Sequence, residues 1–333
     1  MQTTTLGRGG PQVSRVGLGL MGMSGIYGPA DDTESIATIH AALDASINLL
    51  DTGDFYGMGH NELLLRDALR GRARDSVVIA VKFGGQRSPS GEFVGYDASP
   101  AAVKNFLAYS LQRLGTDYID LYQPARLDPA VPIEDTVGGI AEMIDAGYVR
   151  HLGLSEVGPE TIRRAHAVHP VSALQIEYSL MSRGIERDIL PVVRELGISV
   201  TAYGILSRGL LSTATAPRSG GADDPRARFP RFQQGNVDRN LALLAALDTI
   251  AHERGVTAAQ LAIAWVLAQG DDIIPLIGTK RRDRLAEALA ALDIRLTPDE
   301  LAAIEAAVPA GEVAGTRYDA HQMGALDSER SSV

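Results

Sequence analysis

Short apolar runs and amphipathic stretches alternate along almost the whole chain. The runs are VGLG (16–19), INLLD (47–51), VVIAVK (77–82), IDLYQP (119–124), VRHLGLS (149–155), ALQIE (173–177), ISVTAY (198–203) and IIPLIG (273–278). Most are apolar at consecutive positions rather than at every second one, as expected of strands buried on both faces. Between them Ile36, Ile39, Leu43 and Ile47 recur at helical spacing, as do Leu285, Leu289 and Leu292. Thr297-Pro298-Asp299-Glu300, ahead of a last amphipathic stretch, is a capping box with proline at the first helical position. Eight strands separated by helices predict an α/β fold with a parallel sheet, and closure into a (β/α)8 barrel explains the count better than an open sheet.

Three irregular segments interrupt this pattern. TTTLGRGGPQVS near the N-terminus reads as a β-hairpin around Gly-Gly-Pro, placed to plug one end of the barrel. Residues 205–236, rich in Gly, Pro, Ser and Arg, form a connection too long for a simple turn. Because that connection follows a strand, it is expected to overhang the face where barrel sites are built. The tail, 309–333, is irregular, with extra C-terminal helices expected before it. No internal repeat is evident, and 1–333 is read as a single barrel domain.

Composition narrows the functional classes. With 45% hydrophobic and 22% charged residues the chain can bury a large core. It has no cysteine, which excludes disulfides, iron-sulfur ligation and a thiolate nucleophile. A formal charge of −10 argues against nucleic acid as a partner. The start MQTTTLGRGG lacks the features of a signal peptide and no apolar run is long enough to span a membrane, so the cytoplasm is the expected location.

Barrel chemistry is built where strands end. The second run ends at Asp51, with Tyr56 on the loop beyond it, and the third ends at Lys82. Adjacent strands lie ~4.8 Å apart, so Asp51 and Lys82 can pair at the mouth with Tyr56 folded over them. The carboxylate would keep the lysine charged, and the ammonium would pull the tyrosine pKa below ~10, preparing a proton donor. A structural ion pair beside a surface tyrosine is the bland alternative.

Longer stretches decide between them. DTGDFYGMGHNELL (51–64), VKFG (81–84), YIDLYQPARLDP (118–129), GLSEVG (153–158), QIEYSL (175–180), AYGILSRGLL (202–211) and IGTKRRDRLAEAL (277–289) together resemble the aldo-keto reductases over essentially the whole length. The resemblance implies an NADPH-dependent enzyme reducing a small aldehyde or ketone, with Tyr56 as general acid supported by Lys82 and Asp51. It implies that Ser155 and Gln175 hold the nicotinamide carboxamide and that Tyr203 stacks on the ring. Gly204, Leu206, Ser207 and Gly209 are similar to the loop that wraps the pyrophosphate. Gly278, Thr279, Lys280 and Arg284 suit the 2′-phosphate at a helix start. Glu287 matches an adenine contact, whereas Ala288 replaces the asparagine usual there. No GxGxxG fingerprint follows the first strand, and this family uses none.

Two departures stand out. The family's Ser-Asn reads Ser155-Glu156, which alters one carboxamide contact. The histidine that usually follows the fourth strand is absent: the chain reads Tyr122-Gln123-Pro124-Ala125-Arg126, with Ala125 at that position, so the tetrad becomes a triad. Pyridoxal reductases are among the subgroups said to share this loss, which makes pyridoxal a candidate substrate beside methylglyoxal, sugar and xenobiotic aldehydes. His151 lies four residues deeper than Ser155 and reads as a core or floor residue, His60 as a cap, and His321 reaches the mouth only if the tail folds back. His40, His166, His169 and His252 read as surface residues, and no cluster has metal-ligand spacing.

Substrate contacts are expected from Met21, from Tyr27 in the 22–31 loop, from Ala125, from the loop after the seventh strand and from Tyr318 in the tail. A redox-sensing NADPH-binding barrel is the rival reading, and oligomeric state stays open. A metal-dependent sugar isomerase would need ligands that the sequence lacks.

Overall fold

The computed structural model of the protein describes residues 1–212 and 225–330. All eight apolar runs become strands: β1 (Gly17–Gly19), β2 (Leu49–Gly53), β3 (Val78–Phe83), β4 (Ile119–Pro124), β5 (Val149–Ser155), β6 (Val171–Glu177), β7 (Ser199–Tyr203) and β8 (Ile273–Gly278). They pair in parallel in chain order, and β8 closes on β1 with Leu276 opposite Gly17. The result is a closed (β/α)8 barrel. Around it lie α1 (Asp32–Asp44), α2 (His60–Ala68), α3 (Pro100–Leu114), α4 (Ile133–Asp145), α5 (Pro159–Val168), α6 (Ile185–Leu196), α7 (Asn236–Glu253), α8 (Ala258–Ala268), α9 (Arg282–Leu289), α10 (Pro298–Ala307) and α11 (Ala320–Ala325). Local chemistry sets their ends. The Asp31 side chain caps α1, Ser99 caps α3 ahead of Pro100, and the capping box at Thr297 and Glu300 opens α10 with both hydrogen bonds formed. Among the described residues no helix is long and apolar enough to cross a membrane.

Alternating side chains fill the barrel in layers. The lowest layer is apolar, made of Leu49, Val78, Ala80, Leu121, Ala173, Ile274 and Leu276, and Leu6 and Val13 close it from below. Those two flank the turn of the N-terminal hairpin, Thr3–Thr5 with Gln12–Ser14, as the Gly-Gly-Pro signal predicts. Above this floor the throat is polar, with Asp51, Lys82, Gln123, Gln175 and Thr201 all buried. Gly17 is closely packed: a Cβ there would stand 2.7 Å from Leu276 Cδ2 and 3.0 Å from Leu49 Cδ2, so those leucines would have to shift.

Two segments differ from the expected pattern. A second hairpin, Gly85–Arg87 with Phe93–Tyr96, leaves the end of β3, closed by a turn in which Gly91 N–H donates to Ser88. The long connection after β7 contains 3-10 turns at Ser207–Gly209, Pro225–Arg228 and Pro230–Phe232, while its residues 213–224 lie outside the described residues. The tail is more regular than its composition implies, holding α11 and a 3-10 turn at Asp327–Glu329.

One charged group is buried between the barrel wall and its helices. Glu62 of α2 is ion-paired with Arg113 of α3, and Asp54, just past β2, lies beside them. Neither Asp54 oxygen has a hydrogen-bond partner of good geometry. Burial, then Glu62, push the Asp54 carboxyl up to about 8.

Two consequences are measurable. Leu6→Ala opens a cavity under the barrel floor and should cost about 2–5 kcal/mol in urea unfolding. The folded state keeps a proton on Asp54 up to about pH 8, whereas the unfolded chain releases it near ~4. Between these values the folded state binds more protons, so this group's contribution to stability falls as pH rises, by up to ~1.4 kcal/mol per unit. Asp54→Asn should therefore flatten the decline in stability between pH 5 and pH 8, and an unchanged slope in denaturant titrations would refute the assignment.

Candidate active site

The strands run slightly further than the apolar runs do. Asp51 sits two residues before the end of β2, opposite Ala80, and Lys82 lies opposite Gly53. Both side chains therefore point into the throat, one layer below the mouth. Lys82 Nζ donates to both Asp51 carboxylate oxygens at 2.7 Å, and Gln175 Nε2 donates to Asp51 Oδ2 at the same distance. The pair is nearly dry, with side-chain exposures of 4% and 7%. Tyr56 covers it: Lys82 Nζ is 5.1 Å from the centre of its ring, which packs on Gly53, where even a Cβ would come within 3.3 Å.

The electrostatics correct one expectation. The Tyr56 phenol is pushed well above its ordinary range, chiefly by burial and then by Asp51, although Arg126 pulls the other way. Lys82 is not among the largest influences on it, because Asp51 answers most of its charge. Burial lowers the Lys82 ammonium, and Asp51 opposes that. The phenol is thus a hydroxyl held protonated rather than one poised as a phenolate.

At the strand ends above, Ser155 is buried and Tyr203 half-buried. The Tyr203 hydroxyl donates to Glu156 Oε1 at 2.7 Å and lies 3.0 Å from the Tyr318 hydroxyl, so the tail does reach the mouth. Glu156 has its role decided by Arg317, which donates to both of its oxygens at 2.8 and 2.6 Å. Ser328 Oγ adds a third donor, at 2.8 Å. Burial alone would raise the Glu156 carboxyl, yet Arg317 and its other partners hold it down at about 2. Glu177, at the end of β6, is paired with Arg231 at 3.1 Å and lies 3.5 Å from Arg208.

This second charged cluster was not anticipated, apart from Glu156, Tyr203 and Tyr318. Arg317 had a signal, since a glutamate at a buried strand end requires a cation. Arg126, Arg208 and Tyr96 of the second hairpin had none.

The remaining predicted residues divide. Gly204, Ser207 and Gly209 form a tight turn with positive φ values of 66°, 47° and 89°, and Leu206 between them packs on the core. Gly278 is exposed with open space where a side chain would stand. Beside it, Lys280 donates to the carbonyls of Gly28 (3.2 Å) and Pro29, closing the 22–31 segment against α9. Thr279 caps the turn through the Arg281 carbonyl and N–H. Arg284 pairs with Glu287 at 2.8 Å, whereas Ala288 is buried in the core. Met21 opens a 3-10 turn after β1, and Tyr27 is half-buried within electrostatic reach of Arg208 and Tyr318, its phenol raised by burial to about 12.

Ala125 is only 2% exposed and so does not open free volume at the mouth. None of the histidines fills its place. His151 is half-buried low on β5, His60 bonds Ser24 and Asp32 at the start of α2, and His321 is exposed on α11. No metal-binding group of three or more acidic or histidine side chains occurs among the described residues.

Known proteins share this architecture. Residues 15–309 match the profile of the aldo/keto reductase family. A probable aldo-keto reductase 1 of Glycine max is 40% identical over 96% of this chain and 92% of its own length. A glycerol dehydrogenase from Gluconobacter oxydans superposes with a TM-score of 0.83 at 32% identity, covering 92% of this chain and 94% of the other. An aldo-keto reductase from Bacillus halodurans in its holo form gives 0.80 at 28% identity, covering 97% and 99%. The chain belongs to the aldo/keto reductase family, whose members are oxidoreductases that reduce carbonyl compounds with a nicotinamide dinucleotide.

Proposed function

We propose that the protein is an NADPH-dependent reductase of aldehydes or ketones, with Tyr56 as the proton donor. The observation that carries this reading is the dry Asp51–Lys82 pair with the protonated Tyr56 phenol packed over it at the barrel mouth. When bound, the reduced dinucleotide supplies the hydride. Tyr56 gives its proton to the carbonyl oxygen, and the resulting phenolate, buried and unfavourable by itself, is stabilised by the Lys82 ammonium. Asp51 keeps that ammonium charged and fixes its direction, and Gln175 fixes Asp51.

The chain's residues fit the cofactor at both ends. Gln175 commits its amide N–H to Asp51 and leaves its carbonyl free to accept from a carboxamide, while the Ser155 hydroxyl stands on the neighbouring strand in register with it. Tyr203 offers a half-buried ring at the same level. Gly204 and Gly209 allow close backbone approach to a pyrophosphate. At the start of α9, Arg281, Arg282 and Arg284 are each paired with a carboxylate, whereas Lys280 touches only carbonyl oxygens. Its unanswered charge suits the 2′-phosphate that distinguishes NADPH from NADH. Glu156 is engaged by Arg317 and takes no part in holding the carboxamide.

Tyr56→Phe removes the acid without touching the cofactor's binding groups. Its NADPH affinity should stay within about threefold while kcat on the best aldehyde falls ~10²-fold or more; retention of most of the rate would show that another group donates the proton. Lys280→Ala combined with Arg284→Ala should weaken NADPH binding by about 10- to 100-fold, the size expected for lost charge-assisted hydrogen bonds. NADH should change far less. Equal losses for both dinucleotides in a fluorescence titration would remove the assigned phosphate patch.

A further inference from the structure

Most of the charges around the mouth are answered by a carboxylate among the described residues. Arg317 is held by Glu156 and Glu329, Arg231 by Glu177, and Arg208 lies 3.5 Å from Glu177. Arg126 forms no salt bridge among the described residues. It donates to the Ala125 carbonyl at 2.6 Å and reaches the Ser155 and Tyr318 hydroxyls only at 3.5 Å, so one of its five donors is firmly engaged, two are weakly engaged and two have no partner among the described residues. Glu156 is within its field, but Arg317, Tyr203 and Ser328 already take both oxygens.

Arg126 also shares its surroundings with the proton donor, since its field acts on both Tyr56 and Lys82. It stands one residue beyond Ala125, beside the Tyr318 hydroxyl and within electrostatic reach of Tyr203 and Tyr96. A half-buried guanidinium with an open fork is the arrangement proteins use to grip a carboxylate or phosphate through two parallel hydrogen bonds.

We propose that Arg126 selects carbonyl substrates that carry an anionic group, a carboxylate or a phosphate, by pairing with that group while Tyr56 serves the carbonyl. The proposal rests on the reductase reading and names its substrate class. It also accounts for an active-site mouth that retains a surplus cation in a chain of net charge −10.

The test compares matched aldehydes: 4-carboxybenzaldehyde against 4-methylbenzaldehyde, and glyceraldehyde 3-phosphate against glyceraldehyde. Wild type should favour at least one anionic member by tenfold or more in kcat/KM, and which pair shows the preference separates carboxylate from phosphate. Arg126→Gln should erase the preference mainly through KM, leaving the neutral aldehydes within about threefold, and Arg126→Lys should restore part of it. A thermal melt of each variant checks that the fold is kept. Equal losses on neutral and anionic aldehydes, or no preference in wild type, would overturn the proposal while leaving carbonyl reduction standing. Calorimetric titration with benzoate and with inorganic phosphate provides a readout independent of turnover. If no aldehyde is reduced but one of these anions binds in an Arg126-dependent way, the anion site stands and the reductase reading falls.

Discussion

The architecture depends on keeping one lysine charged inside a barrel. Lys82 sits on a strand whose other inward residues, Val78 and Ala80, belong to the apolar floor. Burial acts to strip its proton, and only Asp51, held at 2.7 Å through both oxygens, opposes this. Such a pair contributes little net stability, because desolvating two ions offsets their attraction, but losing one partner strands the other at a cost of about 3–5 kcal/mol. The pair therefore acts as a register lock. A one-residue slip of β3 would move Lys82 from the throat to the helix-covered wall and leave Asp51 unanswered. The same pair bears on Tyr56: burial, and after it the Asp51 charge, hold the phenol protonated.

A second constraint holds the mouth together across great sequence distance. Glu156 follows β5, Glu177 ends β6, Tyr203 ends β7, and Arg317 comes from the tail. Glu156 adopts a φ of 55°, a conformation that costs a non-glycine residue ~1 kcal/mol or more unless its surroundings impose it. Here they do. Arg317 grips its side chain, the Ser328 N–H donates to its carbonyl at 3.2 Å, and Asp327 accepts from Gly158 N–H at 2.8 Å. The tail is thus fastened to the end of β5 at both side-chain and backbone level.

These two clusters mark the border of what the sequence discloses. The strands were legible because a doubly buried strand needs consecutive apolar residues, and all eight runs fell within two residues of the strands. Asp51, Lys82 and Tyr56 were legible because a charge at the end of an apolar run demands a partner and the neighbouring run offers one. The Tyr56 direction was misjudged because the sequence gives the sign of a neighbour's charge but not whether a third group cancels it. The hairpin at Gly85–Tyr96 was missed although Ser-Pro-Ser-Gly is turn chemistry, since its strands are short and mostly exposed. The order of the tail was hidden for a different reason. Its folding is directed by Glu156, more than 160 residues away, and no local periodicity carries that information.

The lost histidine takes on a different meaning in this setting. A pocket missing one oxyanion donor would ordinarily forfeit much of its rate. Ala125 does not leave a hole for solvent or a bulkier ligand: it is buried, with its N–H donating to the Phe83 carbonyl and its own carbonyl taken by Arg126. What stands next to the vacated position is a permanent cation, in a low-dielectric mouth where Asp51 already answers Lys82 and Arg317 answers Glu156. At Tyr56 its influence opposes that of Asp51 and ranks below it, so Arg126 does not take over the support of the phenol. A neutral imidazole could donate one hydrogen bond there, whereas a guanidinium combines donors with a charge that does not titrate.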